Sequence, residues 1–208
     1  MYKIYGGAGS AGMAPQCILE CAGVAYEFVA VDLSGEHRDA DYLAINPYGR
    51  VPTLVIDGKA MFESAAICML LADRHPEAGL APANDAPERA QYLQWSVFLT
   101  NTLQEYMLQG FYPERCTTVA SQAENIAEAA KGRVERAMGI IDEALAATGT
   151  HFLGNAMSVP DIYLAMLATW YEPLDALASE FPNIERNCDA VRRHPAIDRI
   201  LSEESADG

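Results

Sequence analysis

The chain has 208 residues, half of them apolar, with 14 basic and 29 acidic side chains and a formal charge of −15. That apolar content excludes a disordered chain, and the length allows one large domain or two small ones. Lys and Arg are only half as numerous as Asp and Glu, so the basic stripe that meets phosphates is missing and nucleic acid is not an expected partner.

The chain opens on Met1-Tyr2-Lys3-Ile4-Tyr5, a strand over 3–5 running into glycines, without the basic segment, long apolar run and small-residue cleavage site of a secretion signal. A helix over 13–22 follows, ended by Gly23, and then a strand over 26–31 rich in aromatic and β-branched residues. Glu20, Glu27 and Asp32 interrupt this most hydrophobic region, well short of the ~18 apolar residues of a membrane span. A weaker helix over 37–45 closes at Asn46-Pro47. Strands at 53–56 and 60–62 flank Asp57-Gly58, a dipeptide suited to the positive φ angles of a tight hairpin, and a helix covers 64–74. The order β-α-β-α-β-β-α, with helical crossovers and one hairpin, predicts a mixed four-stranded sheet.

Beyond residue 76 the strand pattern stops, and Pro76, Pro82 and Pro87 mark a connecting segment. Helices are expected over 86–110, 121–147, 160–171, 183–193 and 196–205. Ser158-Val159-Pro160-Asp161 sets a capping serine three residues before an acid, with proline at an allowed early position; Ser158 and Asp161 are read as structural. The expected fold class is α/β plus all-α, with domains at 1–76 and 88–208 joined by a linker at 77–87. The five cysteines, Cys17, Cys21, Cys68, Cys116 and Cys188, are odd in number and mostly in apolar helical contexts. They read as buried, reduced thiols of a cytosolic protein. Cys17 and Cys21 share one helix face as core packing, and no second pair completes a metal site.

Two motifs carry chemistry. In Asn46-Pro47-Tyr48-Gly49-Arg50-Val51-Pro52, the second proline either merely starts the following strand or, if its peptide bond is cis, exposes both the N–H and the C=O of Val51 to an extended peptide. Glu63-Ser64 opens the third helix, whose unpaired N–H groups favour an anion; an ordinary serine cap is the other reading. Together they suit a short acidic peptide with a free α-carboxylate.

With the capping box at Ser158-x-x-Asp161, these motifs make the chain resemble a cytosolic glutathione transferase over essentially its whole length, bacterial and serine-type, theta- or beta-like. The resemblance implies a thioredoxin-like first domain and a helical second domain. It implies glutathione as co-substrate with no metal, a homodimer without membrane association, and conjugation of the glutathione thiolate to an apolar electrophile in detoxification. It places the cysteinyl backbone of glutathione at Val51 beside Pro52, its γ-glutamyl end at Glu63 and Ser64, and its glycine carboxylate at Arg50 and His37. An electrophile pocket is expected from Tyr106, Phe111, Tyr112 and Trp170.

A thiol reacts as its thiolate, so something must lower its pKa. The resemblance puts that group just after the first strand, where Ser10 is the hydroxyl on offer. One departure stands out. Aligned through Leu19–Gly23, the catalytic Cys or Ser of beta-class and serine-type relatives falls at Ala11 or Gly12; either a local loop shift brings Ser10 to the thiol, or Ser10 is a turn or cap serine and backbone N–H groups activate the thiol, or the activity is altered. The stretch 95–107 also does not reproduce the polar pattern of the beta class. Competing readings on the same fold are a non-catalytic binding or regulatory protein and a glutathione-dependent isomerase, dehalogenase or peroxidase. The charge divides as −4 over residues 1–76 and −11 from residue 77 on, which predicts a locally positive cradle within an acidic surface.

Overall fold

The computed structural model describes residues 1–7, 9–33, 39–173 and 176–202. Its first part is built from β1 (Tyr2–Gly6), α1 (Met13–Cys21), β2 (Tyr26–Ala30), α2 (Ala40–Ile45), β3 (Thr53–Ile56), β4 (Lys59–Phe62) and α3 (Ser64–Arg74). The strands form one mixed sheet in the order β2-β1-β3-β4, parallel between β1 and β2 and antiparallel elsewhere. This is the thioredoxin-like arrangement expected. Asp57 and Gly58 both hold positive φ, 51° and 77°, at the β3–β4 turn.

The connection from β2 to β3 differs from a simple helical crossover, because β3 lies antiparallel to β1. The predicted helix over 37–45 is seen as Ala40–Ile45; its residues before 39 lie outside the described residues.

The helical part comprises α4 (Arg89–Phe98), a π-helical segment (Leu99–Gln104), α5 (Glu105–Phe111), α6 (Ala123–Thr148), α7 (Val159–Ala168), α8 (Leu177–Glu180), α9 (Pro182–Arg192) and α10 (Pro195–Ser202). The single helix expected over 86–110 is therefore two α-helices joined through wider winding. That over 160–171 ends early because Thr169, Trp170 and Tyr171 bond three residues back, tightening the last turn. All ten residues of α7 are buried, and this helix packs on α1, α3, α4 and α9 as the post around which both halves assemble.

Several polar ties hold the halves together, among them the Arg199–Glu20 ion pair at 3.2 Å and the bond between the Ser64 and Tyr163 hydroxyls. Arg89 on α4 pairs with both carboxylate oxygens of Asp73 on α3 at 2.7 Å, and Val159 N–H donates to Leu80 C=O at 3.0 Å. None of the five cysteines is in a disulfide; Cys17, Cys68 and Cys188 are buried, Cys21 half-buried and Cys116 exposed. No described helix is long and apolar enough to cross a membrane.

Candidate functional site

A cleft of about 1140 Å³ lies between the sheet domain and the α4–α5 wall. Its sheet-domain side is organised by Asn46, fully buried although polar. The Asn46 amide donates to Arg50 C=O at 2.7 Å and to Thr53 Oγ1 at 2.9 Å, and Tyr42 OH donates to the same carbonyl at 2.7 Å. These bonds pin the loop whose Val51-Pro52 peptide is cis. Neither the N–H nor the C=O of Val51 has a partner among the described residues. Arg50 lies over the Tyr48 ring, 4.7 Å from its centroid, and borders the cleft.

Next along this wall comes the start of α3. Glu63 holds φ +76°, a conformation rare for residues other than glycine and typical of functional corners. The first-turn N–H groups of α3 have no acceptor within the helix. Ser64 borders the cleft, and its hydroxyl is hydrogen-bonded to Tyr163 OH. Arg50, Val51, Pro52, Glu63 and Ser64 thus converge on one cavity. His37 lies outside the described residues.

Ser10 also borders the cleft, but its hydroxyl is fully used. It donates to Gly7 C=O at 2.6 Å and accepts from the N–H groups of Gly7 at 3.2 Å and Gly12 at 3.1 Å. One donation and two acceptances exhaust a hydroxyl, so its proton holds the turn rather than facing the cavity, which differs from the role expected of it. The neighbouring Ala11 N–H has no partner among the described residues, and Ala11 borders the cleft just before α1. The turn is tight: a Cβ on Gly12 would stand 3.1 Å from Gly6 Cα.

The helical wall brings Phe111, Tyr112 and Trp170 to the cleft, with Phe111 and Trp170 edge to face at 6.4 Å. Tyr106 is a correction. It borders a separate cavity of about 230 Å³, shared with Phe111 and Trp170. A π turn upstream inserts one extra residue and rotates later side chains by ~100° relative to a continuous α-helix.

Sequence reasoning missed Gln104, Glu105, Arg115 and Glu172 on this wall. Nothing in their local spacing marks them, because the π segment and the turn after α7 set their direction. The cradle is also not positive by side-chain count: Arg50 and Arg115 face Glu63, Glu105 and Glu172. Dividing the sequence at residue 76 averaged over a wall that carries acids into the cavity. Among the described residues no cluster of His, Cys, Asp or Glu could hold a metal ion.

Comparison with known proteins matches residues 1–73 to the model of the glutathione S-transferase N-terminal domain and residues 75–195 to that of the C-terminal domain. The glutathione S-transferase GstA of Escherichia coli O157:H7 is 24% identical over 206 residues, 97% of this chain and 98% of that protein. A sphingomonad glutathione S-transferase solved in complex with glutathione is 29% identical at TM-score 0.82, covering 98% of this chain and 99% of that one. A beta-class enzyme of Sphingomonas chungbukensis is 30% identical at TM-score 0.80, covering 97% and 98%. That likeness stands beside the departure of residues 95–107 from the beta-class pattern.

Proposed function

Because the chain belongs to the glutathione S-transferase family, we propose that it binds glutathione in this cleft and joins the glutathione sulfur to an electrophilic carbon of an apolar substrate. The observation that supports this most is the convergence of the unpaired peptide edge at Val51 with the N-terminus of α3 on one cavity. An extended tripeptide pairs its cysteinyl backbone with Val51 as an added strand would. Its γ-glutamyl carboxylate meets the first N–H groups of α3 with Ser64, its ammonium meets Glu63, and its glycine carboxylate meets Arg50. The sphingomonad relative, solved with glutathione, supports the same ligand here.

The thiolate is stabilised by the free Ala11 N–H and the positive end of α1, with Ser10 holding the turn that presents them. Phe111, Tyr112 and Trp170 form the wall against which the electrophile rests. A homodimer is part of the proposal, since α4 exposes Leu93 and Val97 one turn apart. A reducing cytoplasm suits five cysteines without a disulfide.

A second reading, glutathione binding without turnover, is favoured by one fact: the Ser10 proton is committed to Gly7. Calorimetric titration with glutathione, the pH dependence of bound-thiolate absorbance, and conjugation of an activated aryl halide separate the two. Turnover with a thiol pKa lowered by about one unit or more, worth ~1.4 kcal/mol each, supports the transferase. Binding with an ordinary thiol pKa and no conjugate supports the second reading, and no binding at millimolar glutathione sinks both.

A further inference from the structure

Ser64 is the first member of a chain that leaves the cleft and returns to it. Its hydroxyl is bonded to the phenol of Tyr163 on α7, and Tyr163 donates to Gln104 Oε1 at 2.5 Å. Tyr163 is only 1% exposed. Ser64 and Gln104 both border the cleft, one at the proposed glutathione cradle and the other on the helical wall, at the end of the π-helical segment.

The Gln104 amide, with Oε1 turned to Tyr163, sets the direction of this chain. A phenol has one proton, and Tyr163 gives it to Gln104. Its oxygen therefore accepts, and Ser64 is the donor to Tyr163. In this state Ser64 Oγ offers the cleft lone pairs only, while the Gln104 amide keeps both of its N–H bonds for other partners. An acceptor at Ser64 has the wrong polarity for a carboxylate. Burial holds the Tyr163 phenol far above its ordinary pKa, so ionisation offers no way out of the mismatch. Rotation does.

Resting on the glutathione-binding reading above, we propose that arrival of the γ-glutamyl carboxylate reverses the Ser64–Tyr163–Gln104 chain. Ser64 turns its proton to the carboxylate, Tyr163 donates to Ser64, and the Gln104 amide rotates so that Nε2–H donates to Tyr163. Each oxygen keeps its own proton, and only the direction of the bonds changes. The rotation carries Gln104 Oε1 to where its N–H bonds had been, so the helical wall exchanges a donor for an acceptor when glutathione binds. Tyr163 and Gln104 are positioning residues in this scheme, linking occupancy of the cradle to the polarity of the electrophile wall.

Gln104 is half-buried on the cleft wall, so its variants test the idea without cutting the core. Gln104→Leu removes the acceptor that holds Tyr163 in the resting direction. The phenol then donates to Ser64 before glutathione arrives, and calorimetry should show binding tightened by about threefold. Gln104→Glu can only accept, locks the resting direction, and should weaken binding by about tenfold. That loss should persist at high salt, unlike a long-range charge effect. In a Tyr163→Phe background no phenol is left to relay, and the opposite signs of the two substitutions should disappear.

Gln104→Leu and Gln104→Glu shifting affinity in the same direction would overturn the proposal. So would opposite shifts that survive in the Tyr163→Phe protein. If Tyr163→Phe does not fold, the signs of the two Gln104 variants decide alone. Wild-type protein that binds no glutathione in the same titration is a distinct outcome, which removes the binding reading and this inference with it.

Discussion

A hydroxyl acts through the proton it has free, and at Ser10 that proton is spent on Gly7 C=O while two N–H groups fill the lone pairs. Ser10 is itself buried. Replacing it by alanine strands the Gly7 and Gly12 N–H groups, each an unmet donor costing ~1–3 kcal/mol when water cannot reach it. Ser10→Ala should accordingly lower unfolding stability by about 2–6 kcal/mol in urea titration. The thiol pKa of bound glutathione should move by well under the unit that loss of a direct donor produces. A thiol pKa raised by a full unit with stability unchanged would return the hydroxyl to the chemistry. The contrast with Asn46 is instructive. Both residues are buried polar groups beside the cleft, yet Asn46 spends its bonds on the Arg50 carbonyl and Thr53 and leaves the Val51 edge open.

Among the elements, α7 does the most to position the site, and its N-terminus rests on Asp161. This carboxylate, fully buried, accepts from Ser158 N–H at 2.7 Å, Ser158 Oγ at 2.7 Å, Phe152 N–H at 3.0 Å and Asn187 Nδ2 at 2.7 Å. Asp161→Ala strands several donors at once and should cost at least about 3 kcal/mol by thermal or urea unfolding. The glutathione affinity of whatever remains folded should fall with it, because α7 carries Tyr163. This box was legible in sequence because Ser-x-x-Asp is a local pattern within one turn. So were the Asp57-Gly58 turn and the Thr53–Ile56 and Ser64–Arg74 elements, whose bounds match those expected. The π-helical winding at Leu99–Gln104 has no comparable local mark, since it changes hydrogen-bond register rather than residue type. Tyr106, just past that segment, borders the adjoining cavity and not the cleft. The Ser64–Tyr163 contact joins residues 99 positions apart, a distance over which no spacing rule reaches.

At the scale of the whole molecule, the charge of −15 sets a field against an anionic ligand. Glutathione carries a net negative charge at neutral pH, and the cleft's arginines, Arg50 and Arg115, are outnumbered by Glu63, Glu105 and Glu172. Attraction at the cradle therefore comes from short-range donors: the Val51 and Ala11 amides, the first turn of α3, and the Arg50 guanidinium over its carboxylate. Repulsion comes from the rest of the surface and acts over longer distances. Salt separates the two, because the screening length falls from ~30 Å at 0.01 M to ~10 Å at 0.1 M, while contacts of a few ångströms between partly desolvated groups are screened much less. The association rate for glutathione, followed by stopped-flow quenching of tryptophan fluorescence, should rise about two- to fivefold across that range as the repulsive field is removed. The dissociation rate should change far less. An association rate that falls with added salt would mean that the arginines govern the approach and that the cleft is electrostatically positive despite its glutamates. Arg50→Gln would then slow association and flatten its salt dependence. On the present geometry it should mainly speed dissociation, because Arg50 acts only once the glycine carboxylate is within reach.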